Sequence, residues 1–478
     1  MDQSLTLIDA QVHFLEERVV LVHIPLELYP YFLKSVLRLI FDETSSLEDE
    51  NDDNAVDDDV ENISEQDSAY RPPAFMNVSI TPVEVSVMCP RRLIEKYFIP
   101  VMDQLDQLDA SLRSRLVVSE KDYIAMQVLG QGLEAGKRVL ELTSPLALAG
   151  MYVNFDILYL QYNTLANILQ SSIFFISTYF SDYIVFPLQS KANVMTALES
   201  RGFQFDTETA SFATNPLSPS VERRLSDLIP PRTPPPSTLG ELQTRTFANL
   251  RKHRITPSVD ATLRLVQCAA HHEYHCQKSS MSILRDALTT VLLVDEPRFL
   301  SLTLAALDPA ASLLLEKRLL PRFARQSPHE DGYEDGSGLL LGSKEDHLVP
   351  ITLDLRDLPL EASGIVCGVA GRLADAATSP LIGTGVSVSA SEPLDSLDTR
   401  LATFSVSSNA TPSHILHPLS QTHHLQPDRD AVADAVEISF LSTARAGTII
   451  VGEDELRRAI DALEAEKMES QTPDHLRE

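Results

Sequence analysis

The sequence predicts an α+β protein in which one supersecondary unit is used four times. Three observations carry that reading. Period-two apolar runs alternate with amphipathic runs in the order strand, helix, strand, strand, helix. Asp-rich and Pro/Ser/Thr-rich stretches divide the 478 residues into four blocks. Part of the second block returns in the fourth without a gap.

The first block, residues 1–118, reads as a strand (VHFLEERVVLVHIP), a helix (LELYPYFLKSVLRLIF) and two strands in NVSITPVEVSVMC. Pro90 then suits the first turn of a helix, RRLIEKYFIPVMDQL. Residues 43–71 interrupt the block; their acidic run, Leu47 to Asn62, reads as a solvated, disordered insertion. The second block, 119–206, gives a strand (YIAMQV), a helix (LEAGKRVLELTSPLALA) and two strands in SIFFISTYFSDYIVF. Its last helix has Ser190 as a cap, Val194 and Leu198 on one face, and Gly202 at its close. Residues 151–171 stand where a short turn belongs. They read either as an extra amphipathic helix or as a translated intron. Met-Tyr-Val can be coded ATG TAT GT, a donor-like string, and Ala-Asn GCTAAC, a branch-like one.

Residues 207–258 read as a Pro/Ser-rich linker without a core; Ser218, Thr233 and Ser226 are phosphorylation candidates in it. The third block, 259–325, repeats strand, helix (MSILRDALTTVLL), strand (RFLSLTLAAL), helix. Residues 326–346 are a second linker. The fourth block, 347–466, holds VPITLDL, the glycine-rich GIVCGVAGRLADA and a disordered insertion at 378–430. The returning stretch and a helix with Leu456, Ile460 and Leu463 in its apolar stripe follow; 467–478 is a tail. In the repeat, Ile176 to Ser200 aligns with Leu441 to Ala465. Ser177-Thr178 match Ser442-Thr443, Ile184 matches Ile449, and Ala197-Leu198-Glu199 match Ala462-Leu463-Glu464. Units this small leave one sheet face to cover, so they should pair.

Net charge is −29, with a pI near 4.8. That argues against a nucleic-acid-binding surface. No basic leader precedes an apolar core, and no apolar run reaches the ~18 residues of a membrane helix. The four Cys form no CxxC pair, so a reducing, cytoplasmic setting is expected. Neither GxSxG nor HExxH is present, and no enzyme, cofactor or metal site is expected. CAAHHEYHC, Cys268 to Cys276, invites a zinc reading but lacks a paired-finger spacing. GIVCGVAG, Gly364 to Gly371, has three readings: a phosphate loop, close packing of a helix, or a cradle for a small carboxylate.

SSIFFISTYFSDYIVF, GIVCGVAGRLA and ISFLSTARAGTIIV together resemble the CASTOR family of cytosolic arginine sensors. The resemblance implies four ACT-like, ferredoxin-like βαββαβ units, with the second and fourth around one amino acid. It implies a protein partner complex of GATOR type upstream of the TOR kinase; a homodimer is left open. It puts the ligand on Ser172 and Ile173 of the second unit, and on Glu361, Gly364, Ile365, Val366, Ser442, Thr443 and Ala444 of the fourth. It puts the partner on Tyr179, Phe180 and Asp182, although both aromatics would equally cover a neighbouring unit. Two positions depart from the family: Ala362 and Gly447 stand where it has acids. A lost charged partner in a buried site costs roughly 1.5–3 kcal/mol. Either Glu361 compensates, or the ligand is not arginine, or the site is empty. Two alternatives stand beside a sensor: an interaction scaffold with a decayed site, and an allosteric regulatory subunit of an amino-acid biosynthetic enzyme.

Overall fold

The computed structural model describes residues 10–45, 74–130, 135–148, 173–205, 236–270, 280–308, 310–323, 340–342, 347–358, 365–378 and 438–469. The strand–helix–strand–strand order holds in the first, second and fourth blocks; in the third, Ala311–Glu316 form a strand where the sequence predicts a helix. The first contributes β1 (Ala10–Pro25), α1 (Tyr29–Ser45), β2 (Met76–Ile80), β3 (Glu84–Pro90), α2 (Arg91–Tyr97), α3 (Ile99–Leu108), α4 (Ala110–Arg113) and the short β4 (Val117–Val118). The second contributes β5 (Tyr123–Gly130), α5 (Ala135–Leu148), β6 (Phe174–Ser177), β7 (Asp182–Pro187), α6 (Lys191–Glu199) and β8 (Gln204–Phe205). After them come α7 (Leu239–Lys252), β9 (Ser258–Val259), β10 (Leu265–Ala270), α8 (Ser280–Thr290), β11 (Leu300–Leu304), β12 (Ala311–Glu316) and β13 (Leu340–Leu341). The fourth block holds β14 (Leu348–Asp354), α9 (Ile365–Thr378), β15 (Ile438–Ser442), β16 (Ala446–Gly452) and α10 (Leu456–Glu469).

The strands do not form four ferredoxin-like sheets, and the expectation of separate ACT-like units is wrong. Twelve of them make one closed antiparallel ring, in the order β10-β12-β11-β2-β3-β1-β5-β7-β6-β15-β16-β14 and back to β10. Each block lays its strands first, third, second. Its outer strands then pair with the corresponding strands of two neighbours: β1 with β5, β2 with β11, β6 with β15, and β10 with β14. The two-residue β8 and β9 pair beside the ring and do not extend four separate sheets. Periodicity says which face of a strand is apolar, but it is silent on what the backbone edge will pair with. Closure leaves the ring without a free edge strand, although the β6–β15 and β10–β14 seams are each made by a single residue pair.

Alternation along the strands makes two kinds of core. Val20, Val22, Val85, Val87, Leu300 and Leu313 face outward under α1, α2 and α8. Phe175, Ile184, Phe440, Ile449 and Val451 face outward under α5, α7 and α9. The opposite face, with Leu21, Met88, Tyr123, Phe174, Tyr183, Phe299, Leu314 and Ile450, fills the ring interior.

The linker expected at 207–258 is corrected in its second half. Residues 239–252 form α7, with Leu242, Phe247 and Leu250 buried. Thr238 caps it by accepting from the Glu241 N–H at 3.2 Å, and the Glu241 carboxylate takes the Ser237 N–H in return. The acidic insertion also starts later than expected: Glu43 and Thr44 are buried in α1, and Glu43 accepts from the Ala74 N–H at 2.8 Å. Residues 151–171, the phosphorylation candidates and 379–437 lie outside the described residues. No helix among the described residues is long and apolar enough to cross a membrane.

Candidate functional site

The predicted ligand residues fall at one end of the β6–β15 junction. That junction is a single antiparallel pair, Leu441 with Ile176, supported by the Phe440 N–H donating to Ser177 Oγ at 3.2 Å. Beyond that pair the two chains part: Ile173 packs against the outer core, and Ala444, in the β15–β16 turn, against the ring interior. β14 reaches the same end, where the Leu355 N–H donates to the Arg445 carbonyl at 2.9 Å. The chain leaves β14 here and later enters α9 at Ile365.

Strand alternation splits the predicted set in two. Ser442 lies on the outward face of Phe440, and its cross-strand partner is Gly447. Ile173, Leu355, Ile365 and Val366 border the same outer core. The Ser442 hydroxyl is buried there without a hydrogen-bond partner. Thr443 turns the other way. Its hydroxyl donates to Glu84 Oε1 at 2.6 Å, and the Arg445 N–H reaches the same oxygen at 2.5 Å. Glu84 is fully buried at the start of β3, and its second oxygen pairs with His23 Nδ1. Thr443 is therefore a structural tie to the first block. Ser172, Glu361, Ala362 and Gly364 lie outside the described residues.

The predicted partner residues also separate. Tyr179 is 39% exposed and Phe180 half-buried, their rings 5.0 Å apart and edge to face. Asp182 is not at the surface. It is 2% exposed and bound by Arg138 Nε of α5 at 3.0 Å. Burial raises its carboxyl above the ordinary range, with Arg138 pulling the other way. The Tyr179–Phe180 turn is clasped as the 443–445 turn is. Asp308, from the β11–β12 turn, accepts from Gln127 at 2.7 Å, from the Ser181 hydroxyl at 3.1 Å and from the Tyr183 hydroxyl at 2.7 Å.

The glycine-rich stretch resolves toward close packing in its described part. A Cβ on Gly368 would stand 2.6 Å from Thr246 Oγ1, and one on Gly371 2.5 Å from Gln243 Nε2. Both lie inside α9 where α7 crosses it. Cys268 of the His/Cys run is buried in β10, and residues 271–279 lie outside the described residues. Sequence reasoning missed Glu84 and Asp308. Glu84 has a signal, an acid between two valines in VEVSV; the letters around Asp308 give none.

Fold and site thus define a closed twelve-stranded α+β ring with a hydroxyl-bearing apolar edge between its second and fourth blocks. No family model matches the chain, and no curated protein does. Among solved structures it is similar to an aspartate kinase from Synechocystis, at 9% identity and a TM-score of 0.27. That match covers 98% of this chain and 57% of the other, so the chain spans little over half of that protein's length. A likeness of that size assigns neither fold nor function.

Proposed function

We propose that this chain is a non-enzymatic amino-acid-binding regulator. It acts as a sensor in TOR-type nutrient signalling by associating, ligand-dependently, with a protein complex of GATOR type. One observation carries the reading: the Ser442 hydroxyl is buried without a hydrogen-bond partner on β15, the strand whose seam with β6 joins the fourth block to the second. A donor kept from water in an apolar setting lacks compensation until an acceptor arrives, and a ligand carboxylate supplies one. A ligand bound there shifts the balance between two arrangements of the junction, and Tyr179 and Phe180 offer the partner contact. The resemblance to the CASTOR family points the same way.

The Thr443 hydroxyl, already held by Glu84, favours a second reading: a scaffold whose ligand site has decayed. A thermal-shift screen of the twenty amino acids at millimolar concentration separates the two. A sensor gains about 2.7 kcal/mol at a hundredfold excess of ligand over Kd. Stabilisation by none of them leaves the scaffold.

A further inference from the structure

We propose that Asp308 is a proton-operated latch: its neutral carboxyl holds the β6–β7 turn against the third block, and ionisation loosens that hold.

Glu84 and Asp308 each clasp a hairpin turn, but their surroundings differ. Among the described residues the buried acids are Glu43, Glu84, Asp182, Asp308 and Glu316. Four of them have a basic group against them. Glu43 has Arg92 at 3.7 Å, Glu84 has His23, Asp182 has Arg138 at 3.0 Å, and Glu316 has Arg318 at 2.7 Å. Asp308, 7% exposed, meets neutral donors instead. These are the Gln127 amide of β5 at 2.7 Å, the Ser181 hydroxyl at 3.1 Å and the Tyr183 hydroxyl of β7 at 2.7 Å. Tyr183 is the titratable one of the three. Burial and the Asp308 charge both push its hydroxyl up, so it stays a donor.

An ionised carboxylate there gives up water and gains no opposite charge. Burial accordingly holds the Asp308 carboxyl above the ordinary range, against the pull of its three donors. The hydrogen-bond inventory points the same way. The Gln127 amide nitrogen reaches Ser181, Tyr183 and Asp308, while its Oε1 is buried with no donor to accept from. A proton on Asp308 supplies a donor, and acid and amide can then bond in both directions.

The turn that the latch holds touches the third block elsewhere too. The Tyr179 N–H donates to Ser312 Oγ of β12 at 2.7 Å, and a Cβ on Gly342 would stand 3.1 Å from Tyr179 Cε2. Of these contacts, the one at Asp308 changes with a proton. Because its carboxyl is raised in the fold, the hold is complete below the ordinary Asp value, about 3.9, and is lost as pH rises through the higher value of the latched state.

Urea denaturation and hydrogen exchange of the full chain, wild type and Asp308→Asn, between about pH 4 and pH 8 test this. Asn keeps the shape and stays neutral. Its midpoint should lie above that of the wild type at the upper pH, with the gap closing at the lower. Exchange at Tyr179–Ser181, corrected for its intrinsic pH dependence, should quicken by up to about tenfold per pH unit in the wild type and not in the variant. A gap that does not change with pH overturns the latch. So does a variant less stable than the wild type at the upper pH, the result expected if a cation held the ionised acid. Should the variant fail to fold, wild-type exchange decides: no loss of protection at the turn with rising pH overturns the proposal.

Discussion

The two halves of the ring join their blocks by different means. Between the first and third blocks, β2 and β11 pair along their full length, Met76–Ile80 against Leu300–Leu304. Asn77 sits inside that seam. Its amide donates to Ser301 Oγ at 3.1 Å and Thr303 Oγ1 at 3.0 Å, and its oxygen accepts from Ser79 at 2.8 Å. Between the second and fourth blocks, β6 and β15 share one pair, and their interior-facing residues there, Ile176 and Leu441, have no polar atoms. That half is also joined through its helices: a Cβ on Gly371 of α9 would stand 3.5 Å from Leu140 Cδ1 of α5, and α7 closes on the same helix at Gly368. A fully paired seam with satisfied polar groups is rigid and specific. A seam with one pair leaves strand ends available, and the candidate ligand residues lie at those ends.

The sharpest way to break the comparison is at the tie between halves. Glu84→Ala leaves His23 and the Arg445 N–H buried without their carboxylate, and should cost about 3–5 kcal/mol in urea denaturation. Hydrogen exchange should rise first at β15 and β16; uniform loosening of β2 and β11 would show that the halves are not held separately. Next in size is Asn77→Ala, which takes the amide donor from the buried Thr303 hydroxyl and leaves the Ser79 and Ser301 hydroxyls bonded only to each other, at 2.9 Å. About 2–3 kcal/mol should be lost, with faster exchange confined to β2 and β11. An unchanged midpoint would remove the polar seam from the account. Gly368→Val tests the helix-joined half. Thr246 is short and has nowhere to swing, so overpacking should cost about 1–3 kcal/mol. Gly371→Ala meets only the far end of Gln243, whose displacement breaks its 3.0 Å hydrogen bond to Asp375 Oδ2; about 1 kcal/mol should be lost. Equal effects at the two glycines would argue against an α7–α9 contact of this geometry.

The legible part of the fold was local. The strand–helix–strand–strand order follows from periods of two and 3.6, and Val194, Leu198 and Gly202 behave as their spacing implies. The illegible part of the site was relational. Ser442 and Thr443 are neighbours in a repeated Ser-Thr, and nothing in their letters says that one hydroxyl is bound and the other is not. That difference comes from Glu84, 359 residues away from Thr443 in the chain. Asp182 illustrates the same limit: a polar residue in a hairpin reads as exposed until α5 brings Arg138 over it.

By itself the sequence determined most of the strands and helices and which of their faces are apolar; it did not determine α7, nor which of three uses the glycines at 368 and 371 serve. Those are properties of short windows, governed by backbone propensity and side-chain alternation. Only the tertiary structure decided that the four blocks close into one ring and do not pair off as separate sheets. Strand edges are bonded through backbone N–H and C=O groups that every residue but proline presents alike, so the choice of partner has no signature in the letters.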